Sequence, residues 1–173
     1  MSESSSNQRV KQSPSLKARA LRLLSLREYS RKGLAAKLAE SEARWSKRGG
    51  DQAEQTPESR ASQIEAVLND FEARGWLSDQ RFAESLVRRR SERYGIRKIA
   101  DELEKAGVDS KQAAKLLGDL KETEFQRAFD LWNRKYGSRA QDQKERARQY
   151  RFLASKGFST EVVGKVVGGQ TPD

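Results

Sequence analysis

Residues Arg74 to Asp109 read R-G-W-L-S-D-Q-R-F-A-E-S-L-V-R-R-R-S-E-R-Y-G-I-R-K-I-A-D-E-L-E-K-A-G-V-D: turn, helix, glycine break, helix, glycine break. Gly75 closes the element before it, and Trp76 and Leu77 are apolar anchors. Ser78 or Asp79 can cap the next helix by accepting its free N–H groups. Phe82, Leu86 and Val87 then share one helical face. Arg88, Arg89, Arg90 and Arg93 crowd the C-terminal end, where cations suit the helix dipole. Tyr94-Gly95 ends that helix. Ile96, Ile99, Ala100 and Leu103 make a second apolar face, ended by Lys105-Ala106-Gly107.

On the N-terminal side, Leu16, Ala20, Leu23 and Leu24 lie on one helical face, and Tyr29-Ser30 breaks and recaps the chain. Leu34, Ala35 and Leu38 start a helix that runs toward Trp45. The segment 46–59 is a long polar loop by composition. Thr56 then caps a helix with Pro57 at its first position, and Ile64, Val67, Leu68 and Phe71 form its apolar face. On the C-terminal side, Asp109 caps a helix with Ala113, Leu116, Leu117 and Leu120. Glu122 is expected to open the next, which carries Phe125, Phe129 and Trp132 and ends at Tyr136-Gly137. Residues 138–143 are polar, a turn or fraying helix. Arg146 to Lys156 is basic and helical, and Ser159 caps a last helix with Val162, Val163, Val166 and Val167.

Aligning the breaks exposes a repeat. Tyr94 and Tyr136 stand 42 positions apart, and Tyr29 and Tyr94 stand 65 apart, the excess matching the loop and helix extensions between Leu38 and Ile64. The third helices also correspond: Ile64/Val67/Leu68, Ala113/Leu116/Leu117 and Val163/Val166/Val167. The reading is an all-α chain of three tandem three-helix repeats, an elongated, curved helical stack that buries one continuous seam. Its parts are a disordered tail over 1–15, units over 16–75, 76–121 and 122–168, and a loose end over 169–173.

The central signature resembles that of the RecX family, bacterial modulators of the RecA recombinase. The matching residues are Trp76-Leu77, Asp79-Gln80-Arg81-Phe82-Ala83, Arg88 to Arg90, Tyr94-Gly95, Ile96 to Leu103 and Gly107-Val108. Leu26-Arg27-Glu28-Tyr29-Ser30 with Leu34 and Leu38 resembles the family's first repeat, and Arg151 to Ser159 its last. The third unit departs from the pattern: Glu122-Thr123-Glu124-Phe125 stands where a D-x-R-F-A opening belongs. The resemblance implies the same three-helix repeats. It also implies a non-enzymatic protein that binds RecA and its filament on single-stranded DNA and inhibits strand exchange and the coupled ATP hydrolysis.

Composition bounds the chemistry. The 173 residues carry 35 Lys and Arg against 25 Asp and Glu, a net charge of +10, with a pI near 10.0. Such a chain expects an acidic partner: nucleic acid, an anionic membrane surface or an acidic protein face. With no cysteine and no histidine it has no thiolate nucleophile, and it lacks the usual general base near neutral pH. No phosphate loop or G-x-G-x-x-G is present. Asp101, Glu102 and Glu104 have the spacing of a solvated face rather than of metal ligands. We therefore expect no catalytic residues, cofactor or metal, and a monomeric cytoplasmic protein that neither crosses nor enters the membrane.

The candidate binding residues are basic clusters that recur near the junction of a unit's first and second helices. Arg19, Arg22, Arg27, Arg31 and Lys32, with Lys17, mark the first unit. Arg88, Arg89, Arg90, Arg93, Arg97 and Lys98 mark the second. Arg134, Lys135, Arg146, Arg148 and Arg151, with Arg139 and Lys144, mark the third. They are expected to bind recombinase or nucleic acid without sequence preference. The large aromatics Trp76, Phe82, Phe125, Phe129, Trp132, Phe152 and Phe158 are expected in the core. Tyr29, Tyr94 and Tyr136, beside arginines at helix ends, could stack on a base or a guanidinium. The rival readings are a helix-turn-helix regulator acting directly on DNA and a structural RNA-binding protein. Against the first, Asp101, Glu102 and Glu104 on the Ile96–Lys105 helix would be repelled by phosphate.

Overall fold

Capping serines, threonines and aspartates set where the helices begin. The computed structural model describes residues 14–47 and 56–172. They form helices α1 (Leu16–Leu26), α2 (Arg31–Ser46), α3 (Pro57–Ala73), α4 (Asp79–Arg90), α5 (Ile96–Lys105), α6 (Ser110–Glu122), α7 (Glu124–Lys135), α8 (Gln143–Ser155) and α9 (Thr160–Gly168). Side chains of Ser15, Ser30, Thr56, Ser78, Asp109, Asp142 and Ser159 each accept a backbone N–H of the helix that follows. Each such cap contributes about 1 kcal/mol. Residues 1–13 of the expected tail over 1–15, residues 48–55 of the expected loop over 46–59, and Asp173 lie outside the described residues.

Helices α1–α3, α4–α6 and α7–α9 form three bundles, each with its own apolar cluster. Ala20, Leu34, Leu38, Ile64, Leu68 and Phe71 centre the first, joined by Leu77 from the connection to α4. Ala83, Leu86, Ile99, Leu103, Val108 and Leu120 centre the second. Ala128, Trp132, Leu153, Phe158, Val163 and Val166 centre the third. This corrects the expectation of one continuous seam. Each bundle closes its main apolar face upon itself, so the buried residues form three separate clusters. Among the described residues no hydrogen bond or ion pair joins the first bundle to the third.

Two further details differ from the sequence reading, and a third lies beyond it. Glu122 closes α6 rather than opening α7; Thr123 then stands between the two helices, with no side-chain capping bond to α7. Trp76 is 45 % exposed, edge-on to Phe71 and beneath the Arg74 guanidinium, because it sits on the turn after α3 and not on a helical face. Gln149 of α8, to which the sequence reading assigned no role, is buried, accepting from Trp132 Nε1 at 2.8 Å and donating to the Ser138 carbonyl.

Candidate functional site

Two joints hold the bundles in line, and they decide which basic residues meet. At both, the first residue of one bundle's first helix caps the N-terminus of the preceding bundle's second helix. Asp79 opens α4 and its Oδ1 accepts the Arg31 N–H of α2 at 2.6 Å. Glu124 opens α7 and its Oε1 accepts the Ile96 N–H of α5 at 3.0 Å and the Ser159 N–H at 3.3 Å. Asp79 and Glu124 each stand four residues before a fully buried alanine, Ala83 and Ala128. Glu124 thus takes the place of the missing D-x-R-F-A aspartate.

The second joint is also tied main chain to main chain. The Gly95 N–H donates to the Lys156 carbonyl at 3.0 Å and the Arg97 N–H to the Gly157 carbonyl at 3.1 Å. A Cβ on Gly95 would overlap the backbone of Gly157 and Phe158. Arg127 completes the tie. Its guanidinium donates to the carbonyls of Ser91, Tyr94 and Leu120 at 2.6, 2.9 and 3.0 Å. Burial pushes its pKa below the ordinary arginine value, against the pull of Glu124.

Against this frame the predicted basic residues divide. Two turn inward. Arg19 donates to Ser41 Oγ and to the buried carboxylate of Glu42. Arg31 meets Glu65, Glu72 and Asn69 of α3. Burial works against its charge, but Glu65 and Glu72 outweigh that and hold its pKa above the ordinary value. These two hold the first bundle together. Arg22, Arg88, Arg93, Arg97, Arg146, Arg148 and Arg151 are exposed. Arg134 reaches the Glu92 carbonyl at 3.4 Å across the second joint.

The remaining candidates converge on rings. Arg27 lies 4.5 Å from the centre of the Tyr29 ring. Arg90 and Lys98 lie 5.2 and 4.6 Å from that of Tyr94, and Lys156 lies 5.5 Å from it. Lys156 also lies 5.7 Å from the Phe152 ring, over which Lys135 sits at 3.9 Å, with Tyr136 at 5.5 Å. Cations and rings therefore alternate from Arg90 to Tyr136 across the second joint. Exposed contacts of this kind are worth about 0.5–1 kcal/mol each, so a phosphate can outcompete them.

Arg90 extends the same surface the other way, into a cleft of about 400 Å³ between the first two bundles, which Arg27, Lys32 and Arg89 also line. Glu102 holds Arg90 at 2.9 Å, and Asp101 holds Lys105 at 2.7 Å. Two of the three carboxylates of the Asp101–Glu104 cluster thus serve as ion-pair partners. Among the described residues no group of three or more such side chains is placed to hold a metal ion. No described helix is long and apolar enough to cross a membrane.

The sequence reading missed Lys156, Glu124 and Arg127. Lys156 was legible as the last cation before a glycine break, one residue closer to its glycine than Lys105 is one unit earlier. Glu124 was legible by its spacing to the buried alanine. Arg127 carries no signal that separates it from its neighbours.

These features define a tandem three-helix repeat protein with a cationic, ring-studded face. Residues 78–117 and 122–167 match the models of the second and third three-helix domains of RecX. The chain is 45 % identical over 153 residues to the regulatory protein RecX of Leptothrix cholodnii, covering 88 % of this chain and 87 % of that one. It is 42 % identical over 149 residues to that of Herminiimonas arsenicoxydans, covering 86 % and 88 %. The chain belongs to the RecX family. The crystal structure of RecX from Lactobacillus salivarius shares the fold at a TM-score of 0.64 and 19 % identity, covering 88 % of this chain and 92 % of that chain.

Proposed function

We propose that this protein regulates homologous recombination by binding a RecA-type recombinase and its filament on single-stranded DNA. It inhibits strand exchange and the coupled ATP hydrolysis, by blocking filament growth or by lodging in the filament groove. The observation that carries the reading is the cation-and-ring face running from Arg27 through Tyr94 to Tyr136, on a chain of the RecX family. A stack of bundles presenting charge along its length suits a helical protein–DNA assembly better than it suits one duplex groove. The α5 helix argues the same way, since Asp101 and Glu104 are exposed on it and phosphate would repel both. It acts as a monomer in the cytoplasm and carries out no chemistry of its own.

The test is the ATPase rate of RecA filaments preformed on single-stranded DNA, titrated with this protein below stoichiometry. A progressive fall is expected; an unchanged rate at every ratio, with the protein folded, overturns the proposal. Reversing Arg88, Arg89, Arg90 and Arg93 to Glu is expected to weaken inhibition while the helical signal persists. Undiminished inhibition would remove that cluster from the site.

A further inference from the structure

We infer that the cleft between the first and second bundles is a phosphate seat for a single nucleic-acid strand, one that ties the two bundles together when filled. The inference rests on the nucleic-acid part of the reading above and gives it a location. One rim is Arg27, Lys32 and Lys37 of the first bundle; the other is Arg89, Arg90 and Lys105 of the second. Glu28, the acidic residue among its lining side chains, is engaged by Arg81 at 3.0 Å. Lys37, Arg90 and Lys105 each have a carboxylate partner. Arg27, Lys32 and Arg89 have none among the described residues: Arg27 lies over Tyr29 and Arg89 bonds only its own helix at the Ser85 carbonyl.

Three cations without carboxylate partners among the described residues thus line one cleft, two on one rim and one on the other. Like charges lining one cleft repel, and an anion between them removes that cost. The floor supplies the second half of the chemistry. It is apolar and partly aromatic, with Phe82, Leu86 and Ala106 from the second bundle beside Tyr29 of the first. A nucleotide has this same division between charged phosphate and flat apolar base. The volume, about 400 Å³, is on the scale of one nucleotide of a single strand. Arg90 then leads the strand out toward Tyr94 and Lys98.

The seat also bears on the joint beneath it. Among the described residues, only the Asp79 cap and the exposed Arg81–Glu28 pair bridge this joint with polar contacts, so a phosphate touching both rims adds a third tie. Binding should therefore slow hydrogen exchange of the Arg31 amide.

The test uses fluorescent dT15 and the full chain, without recombinase, so that its failure is separable from failure of the ATPase test. In Lys32→Gln/Arg89→Gln the salt dependence of log Kd is expected to flatten by about 1.4, two phosphate contacts at ~0.7 each. Lys32→Glu/Arg89→Glu is expected to weaken binding at least ~10-fold. Lys111→Glu/Lys115→Glu, the same charge change on exposed residues of α6, is expected to stay within ~2-fold, since neither lines the cleft. Circular dichroism checks each fold, and the neutral pair keeps the test valid if the reversal unfolds. Wild-type binding by the cleft variants, with binding lost in Lys98→Glu/Lys156→Glu, would overturn the seat and leave the proposed function standing. Displacement of dT15 by ATP at equal phosphate would reassign the seat to free nucleotide. Displacement by poly-glutamate of equal charge would reassign it to acidic protein.

Discussion

The joint between the first and second bundles and the joint between the second and third begin with one device and end differently. Each starts with an acidic residue at the head of one bundle capping the second helix of the bundle before it. At the first joint little else is added: Gly107 faces the flexible side chain of Lys32, and the Arg81–Glu28 pair is exposed. Exposed pairs contribute 0–1 kcal/mol. At the second, the carboxylate serves two N–H groups, an arginine gathers three carbonyls, and glycine backbone meets backbone. A repeat protein's stability is the sum of its units and their interfaces, so two unlike interfaces make a molecule with one firm end and one loose one.

Four experiments bear on that contrast. Glu124→Ala should have the largest effect, about 3 kcal/mol, because it strands two amides at a buried site. Hydrogen exchange should accelerate at Ile96 and Ser159 while Leu34 and Leu38 keep their protection; a loss below about 1 kcal/mol would mean water replaces the carboxylate. Gly95→Ala should cost about 2 kcal/mol through overlap with the Phe158 backbone, read by urea unfolding and by faster exchange at Arg97. No change there would show that the joint can open without penalty. Asp79→Ala should cost about 1 kcal/mol and expose the Arg31 amide alone. Equal losses from Asp79→Ala and Glu124→Ala would abolish the contrast.

Acid should act last and most weakly. Arg74 and Lys17 hold the Asp70 carboxyl below its ordinary range, as Lys37 does for Glu40 and Lys165 for Glu161. Their folded pKa values are depressed, so they stabilise the fold above the unfolded values and lose that contribution as pH falls through the folded ones. With ordinary values of 3.8 and 4.5, the loss begins below about pH 4.5. Two of the three belong to the first bundle. Amide exchange in acid should therefore rise in α2 and α3 before α7, and similar rates in all three would refute this. No histidine exists to add a change between pH 6 and 7.5.

Most helix boundaries were legible because their signals are local. Ser30, Thr56, Asp109 and Ser159 cap where the pattern placed them, and Ile64, Val67, Leu68 and Phe71 pack as their spacing required. The joints were not legible, for a physical reason. The Gly95 N–H and the Lys156 and Gly157 carbonyls are groups that nearly every residue carries, so no side-chain pattern announces them. Periodicity marks an apolar face but not what it faces, which is why three closed cores resembled one seam. The same limit applied to the candidate site. Tyr94 and its arginines stood together in the sequence, while Lys156 came to that ring only through the fold.

The contact of Gly95 with the Lys156–Phe158 turn has a metric consequence. Where main chain rests on main chain, the separation of two bundles is a property of the peptide unit itself. Lys98 and Lys156, on opposite sides of that contact, are consequently held at a gauge that substitutions in the surrounding side chains do not reset. Across the first joint the interval between Lys32 and Arg89 has no such ruler, and its span follows whatever charge lies between them.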